Sequence, residues 1–455
     1  MMRQWNLAEL QVPVAGTLHG ADTQIARIAT DTRADLEGAL FVALVGERFD
    51  GHVYLKEAKA AGAVAAVVSE DTDVGLPLLK VADTEQALGR LGAYNRSQFS
   101  APLVAITGSS GKTTVKNMVH GVLSQRGNTL ATRGNLNNEI GVPMTLLDIE
   151  PQHEFAVVEM GAARSGDIAW LCELAKPGIA LLLNALPAHL EGFGSVEDVA
   201  EAKGEIYDAL GADGIAIINA DQPWAEQWRQ RAEPATIMDY GLAGPATVTA
   251  AAVRTRGVLG STFQLITPLG DALVTLQFPG QHNVSNALAA AAVGVACGLN
   301  LNEIKQGLES IAPVAGRLSV GHLSSGATVV DDCYNANPGS VRAAIDVLAD
   351  CGGRRTLMLG AMKELGPDSN QLHREIGEYA LAAGLDRLWG VGPELEATVA
   401  AFGSGGEHFV SKELAEKAVR GVFTANDTIL IKGSRSAGME VLLSALQSEI
   451  MQGTQ

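Results

Sequence analysis

Aromatic residues supply only 5% of this 455-residue chain, whereas glycine occurs 51 times. So few rings argue against an aromatic-rich β sandwich and for helices packed closely on parallel sheets. Cysteine is scarce as well. Cys172, Cys297, Cys333 and Cys351 form no C-x-x-C pair and have no closely spaced histidines, which excludes a zinc site. They read as buried free thiols in reducing surroundings. Long apolar runs are missing: Ile179–Leu183 and Ala287–Leu299 fall short of the about 20 residues a membrane helix needs. Met1–Leu10, with Arg3, Trp5, Asn6 and Glu9, lacks the apolar stretch of a signal peptide. Low-complexity tracts are absent too, so no disordered segment is expected. Positive charge is in deficit, with 33 Lys and Arg against 51 Asp and Glu and a net charge of −18. Such a chain is a poor binder of nucleic acid or membrane surfaces, both polyanionic. A cytoplasmic protein with no membrane insertion is the expectation. Any nucleotide site must be built locally, from backbone N–H groups, a few basic side chains and metal ions.

What is present is nearly half apolar, enough for several cores, and the length suggests about three domains. In the first, Ala39–Leu44 and Val64–Val68 read as strands around a helix over Tyr54–Ala61, which Gly62 ends. Thr84–Arg96 reads as a connecting helix. Pro102–Ile106 is a β-branched run of the buried parallel type, followed by strands at Phe155–Glu159, Ile179–Asn184 and Gly214–Asn219. Asp198–Leu210 is helical, with Asp198 near its N-cap. Val248–Phe278 breaks the alternation and reads as antiparallel hairpins, and Ser285–Cys297 as an Ala-rich helix. A further α/β pattern begins near Gly316, with strands at Thr328–Asp332, Thr356–Leu359, Arg387–Val391 and Thr428–Ile431. The fold class is therefore α/β, divided at residues 1–83, 84–313 and 314–455.

The sharpest local signal is Thr107-Gly-Ser-Ser-Gly-Lys-Thr-Thr114, between a strand and a helix. Gly108 and Gly111 let the backbone turn so that N–H groups, with Ser109, Ser110 and Thr114, converge on phosphate oxygens. Lys112 then reaches the β/γ-phosphates and Thr113 offers a hydroxyl to Mg²⁺. Ile106 stands where the generic P-loop has its first glycine; the competing reading is a Gly/Ser turn capping a helix. Glu159 ends a buried strand, where ligand crevices lie, and suits Mg²⁺; taken alone, a strand-end Glu is more often a surface or capping residue. His189 reads by itself as a loop histidine, Lys203 as a solvated helical lysine, and Asn283 as a helix cap. Asp331-Asp-Cys-Tyr-Asn-Ala-Asn-Pro338 puts two acids and two amides at a strand end, so it either faces water or binds something. Arg317, in Gly316-Arg-Leu318, is a candidate fork for phosphate or carboxylate.

In order and spacing, Thr107–Thr114, Glu159, His189, Lys203, Gly280–Asn286, Gly316–Leu318 and Asp331–Pro338 resemble the Mur ligases, which build the peptide of bacterial cell-wall precursors. The resemblance spans essentially the whole chain. It implies a small N-terminal domain for a UDP-sugar, a central P-loop ATPase-like parallel sheet with added β-hairpins, and a C-terminal Rossmann-like domain. The implied reaction is ATP-dependent amide formation through an acyl phosphate. Thr113 and Glu159 would hold one Mg²⁺; His189 and a carbamylated Lys203 would hold a second. Lys112, Lys203 and His189 would be the catalytic set. Asn283, Arg317 and Asp332 would contact ATP. Asp31-Thr-Arg33, Phe49-Asp-Gly-His52, Asn135–Pro143, Asp332–Pro338, Lys363–Gly366 and Lys432–Ser436 narrow the implied partners to UDP-N-acetylmuramoyl-tripeptide and D-alanyl-D-alanine. Substrate would meet Thr32, Arg33, Asp50, Gly51, His52, Asn135, Asn137, Asn138, Tyr334, Asn335 and Asn337. The family often has Asp where this chain has Ala361, so no role passes to that position. A monomer is expected.

Two other readings compete. A sibling ligase adding the third peptide residue would carry an Asp-Asn-Pro-Arg run, and a folylpolyglutamate synthetase an Asp-Gly-Ala-His-Asn-Pro run; neither occurs here. A P-loop kinase or a nucleotide-binding regulator belongs to a different class and would release no free phosphate on demand of two acceptors.

Overall fold

The computed structural model describes residues 4–46, 49–187 and 190–447. Its first sheet runs in the order Thr17–His19, Leu78–Lys80, Ala65–Val68, Ala39–Val42, Arg27–Ala29, parallel except at the Thr17–His19 edge. Every residue of Ala39–Val42 and Ala65–Val68 is buried, as in strands covered on both faces. The helix Leu55–Ala60 starts later than expected. Asp50 accepts a hydrogen bond from the His52 N–H and draws Gly51–Tyr54 into a tighter 3₁₀ turn ahead of it. The helix ends as expected, with Gly62 at φ +105°. Asp83 caps Thr84–Ser97 by accepting from the Glu85 and Gln86 N–H groups. That helix serves two bodies: Leu88 and Leu91 join the first core, while Gly92 lies so close to Pro143 that a Cβ would come within 2.9 Å of its Cα.

The central sheet is six-stranded and wholly parallel: Thr129–Ala131, Phe155–Glu159, Leu103–Thr107, Ile179–Leu182, Ile215–Asn219, Thr236–Tyr240. Period-two alternation sends Val104 and Ile106 to one core and Leu103 and Ala105 to the other. Thr249–Thr255, Ser261–Thr267 and Gly270–Leu276 form the expected antiparallel hairpins. The Ala-rich helix covers Gln281–Ala296 and begins four residues before the expected Ser285. Gly280 is its N-cap residue, so Asn283 sits inside the first turn and is not the cap. Asp198 is the third residue of Val196–Asp208, closing a capping box with Ser195.

The third sheet runs Ser319–His322, Thr328–Asp332, Asp427–Lys432, Arg354–Gly360, Arg387–Val391, Gly406–Phe409, antiparallel only at its first strand. Two cores cover its faces. The cysteines are all free, but only Cys172 and Cys333 are buried; Cys297 and Cys351 sit at helix ends, where they are partly exposed.

Candidate active site

The strand Leu103–Thr107 delivers the chain to the helix Lys112–Leu123 through the glycine loop. Gly108 has φ +153° and Gly111 φ +85°, and a Cβ on Gly108 would lie 2.9 Å from the Leu183 Cβ. The loop is pinned from the next strand end. Asn184 accepts from the Ser109 N–H through its carbonyl and from the Ser110 N–H through its side chain, both at 3.0 Å. Lys112 folds back to donate to the Gly108 carbonyl at 2.6 Å. Burial lowers its pKa below the usual lysine value, with Glu159 opposing and Arg317 reinforcing the shift. Ser109, Ser110, Gly111, Lys112, Thr113 and Thr114 line one cavity of about 700 Å³.

Glu159 stands at the end of its strand, 2% exposed. One carboxylate oxygen accepts from the Thr113 hydroxyl at 3.0 Å, the other from the Asn137 amide at 2.8 Å. A buried carboxylate must find such partners. Thr113 and Glu159 thus present adjacent hard oxygen donors, the chemistry Mg²⁺ takes, so the residues fit that ion. Among the described residues no three His, Cys, Asp or Glu side chains gather as a metal cluster.

Lys203 overturns the reading of a solvated helical lysine. It is 1% exposed on Val196–Asp208, with its ammonium 5.7 Å from the Phe193 ring centroid. Burial, reinforced by the charge of Lys112, brings its pKa down to about 7. Its neighbour Glu205 accepts from the Ser165 hydroxyl and the Gly166 and Ala169 N–H groups, so that carboxylate is occupied elsewhere. His189 lies outside the described residues.

The third body closes the cavity. Asp331 and Asp332 accept from the Gly316 and Leu318 N–H groups, shaping the turn that carries Arg317. Arg317 stacks 3.9 Å from the Tyr334 ring centroid and donates to the Thr113 hydroxyl at 2.9 Å. The polar strand end is partly matched inside the protein and partly open to water: Lys432 donates to the buried Asp332 carboxylate at 2.5 Å and to the Asn335 carbonyl at 2.9 Å, while Asn335 is exposed and Asp331 and Tyr334 are half-buried. Burial still raises the Asp332 pKa, against the pull of Lys432. Asn337 caps Pro338–Ala349 by accepting from the Ser340 N–H. Asn283 donates to the Pro279 carbonyl. Asn135, Asn137, Asn138, Asn283, Arg317, Asp332, Tyr334, Asn335 and Asn337 all line the same cavity.

Seven expected residues among those described do not line it: Gly108 and Lys203, and five residues of the first body. Thr32, Arg33, Asp50, Gly51 and His52 belong to the first body, where Thr32 donates to Glu57, Arg33 pairs with Asp31, and His52 bridges Asp50 and the Ser69 N–H. Sequence reading also missed residues. Lys116 follows Lys112 by four positions on one helix, a signal that could have been read; it lies 3.6 Å from the Glu159 carboxylate. Asn184 and Lys432 could not be given partners from the sequence, because those partners are distant along the chain, Ser109 and Ser110 for Asn184 and Asp332 for Lys432; His282 pairs with its neighbour Asn283 inside the Gly280–Asn286 run.

Family profiles match along the chain: the Mur ligase family catalytic domain over residues 24–96, the Mur ligase middle domain over 106–294, and the Mur ligase glutamate ligase domain over 316–435. The UDP-N-acetylmuramoyl-tripeptide–D-alanyl-D-alanine ligase of Escherichia coli K12 is 46% identical over 444 residues, covering 97% of this chain and 98% of that one. A MurF structure from Acinetobacter baumannii superposes with a TM-score of 0.93 at 36% identity, covering 98% and 99%. A MurF ligase from Thermotoga maritima in complex with ADP gives 0.84 at 29% identity, covering 94% and 98%.

Proposed function

This chain belongs to the Mur ligase family of ATP-dependent ligases, and we propose that it joins UDP-N-acetylmuramoyl-tripeptide to D-alanyl-D-alanine. The observation that carries the reading is one cavity lined by the glycine loop, Glu159 and Arg317, in a chain similar end to end to enzymes of that name. A carboxylate acylates poorly, because oxide is a bad leaving group. The tripeptide carboxylate oxygen bonds to the γ-phosphorus of ATP, the bond to the β–γ bridging oxygen breaks, and ADP leaves. The amine of D-alanyl-D-alanine then bonds to the acyl carbon, phosphate departs, and the amine proton passes to solvent.

The chain's own groups do three things. Loop N–H groups, Lys112 and Arg317 offset the charge of two anions brought together. Asn283 and Asp332 hold the nucleotide. Asn135, Asn137 and Asn138 take the peptide end of the precursor, while Tyr334, Asn335 and Asn337 take the dipeptide. Thr32, Arg33, Asp50, Gly51 and His52 serve the UDP-sugar end, in a division of labour across residues 1–83, 84–313 and 314–455. Thr113 and Glu159 would hold one Mg²⁺ and His189 with Lys203 a second; bound there, the ions would supply neutralisation of phosphate charge.

Lys203 is suited to that place only as a carbamate, since an ammonium repels a cation. Its nitrogen bonds to the carbon of CO₂ and one proton is released, leaving an anion. The low pKa supplies the neutral amine this needs, and the change replaces repulsion of Lys112 by attraction. An acyl phosphate hydrolyses in open water, which gives a closed cavity its purpose. The protein acts as a cytoplasmic monomer; among the described residues no helix is long and apolar enough to cross a membrane. The test is phosphate release with ATP, Mg²⁺, the UDP-tripeptide and D-alanyl-D-alanine, omitting one at a time. Release is expected only with all four. Equal release with free D-alanine or L-glutamate in place of the dipeptide refutes the assignment.

A further inference from the structure

Lys116 has no part in the scheme above, yet it carries an ionisable amine and is only 3% exposed. It stands one turn after Lys112 on Lys112–Leu123, so both side chains leave the same face of that helix. Lys112 turns back to the glycine loop; Lys116 goes the other way. Its ammonium donates to the Gly134 carbonyl at 3.2 Å and lies 3.6 Å from the Glu159 carboxylate oxygen that Thr113 also contacts. The segment it holds, Arg133–Asn138, carries all three asparagines assigned to the peptide end of the precursor. That segment has other ties to the same carboxylate. Asn137 donates to the second Glu159 oxygen at 2.8 Å, and its carbonyl accepts from the Gly161 N–H at 2.7 Å.

A buried ammonium needs partners, and an apolar residue of similar size would fill the same space without that demand. A merely space-filling position therefore gains nothing from lysine. Lysine does supply a three-way junction, because its rotatable donors reach a carboxylate on one side and a backbone carbonyl on the other. The carboxylate belongs to the phosphate side of the cavity and the carbonyl to the precursor side. Whatever load Glu159 takes up is passed to Gly134 through one ammonium, without a flexible segment between them.

We propose that Lys116 is a positioning residue that couples nucleotide binding to precursor binding, by tying Glu159 to the Arg133–Asn138 segment. The proposal rests on the functional reading above and deepens it. Nucleotide seated against Thr113 and Glu159 fixes the segment in its binding arrangement, so the precursor binds more tightly to the nucleotide complex than to the empty enzyme. By reciprocity the precursor tightens nucleotide to the same degree.

The test uses the full chain as wild type, Lys116→Met and Lys116→Arg. Calorimetry gives the Kd of a non-hydrolysable ATP analogue with Mg²⁺, of the UDP-tripeptide, and of each in the presence of the other. In wild type, each ligand is expected to tighten the other by about tenfold. In Lys116→Met that factor falls to about one, each ligand alone binding within about threefold of wild type. Lys116→Arg, which keeps the charge and the donors, retains part of the factor. At saturating ATP, Lys116→Met raises KM for the precursor more than it lowers kcat. An unchanged coupling factor in Lys116→Met overturns the proposal, as does loss of nucleotide binding by itself, which makes Lys116 a plain charge at the phosphates. If Lys116→Met does not fold, the folded Lys116→Arg decides: a coupling factor reduced below wild type supports the junction, and coupling equal to wild type together with normal precursor KM overturns it. A wild-type chain that binds no precursor refutes the functional reading itself; normal turnover with no coupling in wild type refutes only the role of Lys116.

Discussion

At the scale of single residues, the site is defined by charges held where water cannot reach them. Lys203 is the sharpest case: burial and the nearby charge of Lys112 both disfavour its proton, and its pKa lies at about 7. A protonated amine does not react with CO₂. The neutral fraction grows as pH rises through that value, so carbamate formation at limiting bicarbonate is expected to increase from about pH 6 to about pH 8. Lys203→Ala is expected to lose at least about a hundredfold in turnover and to recover partly when formate or acetate fills the vacated space. Full activity of the variant, or an unmodified lysine mass at this position under native conditions, contradicts the carbamate.

At the scale of elements, the chain is held at Met362, just before the Lys363–Gly366 segment, by a histidine on the following helix. His373, on Ser369–Ala382, accepts from the Met362 N–H at 3.1 Å through Nε2 and donates from Nδ1 to the Ser369 carbonyl at 2.8 Å. The first bond requires the neutral ring, since only an unprotonated Nε2 accepts; the second places the ring's proton on Nδ1. Burial is the main cause that lowers its pKa, with the Ser369 carbonyl and Glu394 opposing and Lys363 adding to the shift. The unfolded chain takes up the proton near about 6.5 and the folded chain only below that. The stability tied to this ring is therefore full above about 6.5 and is lost as pH falls through the folded value. Urea unfolding followed by Trp389 fluorescence should show the third sheet weakening from about pH 7 to about pH 5, with His373→Gln flattening that slope. An identical slope in the variant would assign the pH dependence to other groups.

At the scale of the whole molecule, one cavity depends on two bodies. Thr113 belongs to the central body and Arg317 to the third, and they share a 2.9 Å hydrogen bond across the cavity wall. Gly339, at the start of the helix Pro338–Ala349, lies so close to Leu186 that a Cβ would come within 2.8 Å of it. A ligand touching both walls favours this closed arrangement by its differential contacts. Small-angle scattering should give a smaller radius of gyration with an ATP analogue plus the UDP-tripeptide than without ligands, and Arg317→Ala should blunt the change. No compaction of the wild type at saturating ligand would count against ligand-driven closure.

The sequence by itself determined the layers and the local motifs. Alternation at Leu103–Thr107, the strand Phe155–Glu159 and the turn glycines Gly62, Gly108 and Gly111 are consequences of period, β-branching and permitted φ, which neighbours in the chain decide. Element starts were less legible. The Ala-rich helix begins at Gln281 because Gly280 turns the chain there, and a histidine and an asparagine in the first turn hide a helix from a pattern of apolar residues. Tertiary structure alone decided which charges meet. Lys203 reads as solvated on its own helix, and only the packed fold buries it, with the Phe193 ring of the preceding short helix 5.7 Å from its ammonium. Lys432 neutralises Asp332 across 100 positions, and Arg317 reaches Thr113 across 204. Electrostatics in a dry interior depends on distance in space and on loss of water. Neither is a function of sequence separation, so those pairings follow from the assembled sheets and not from any motif.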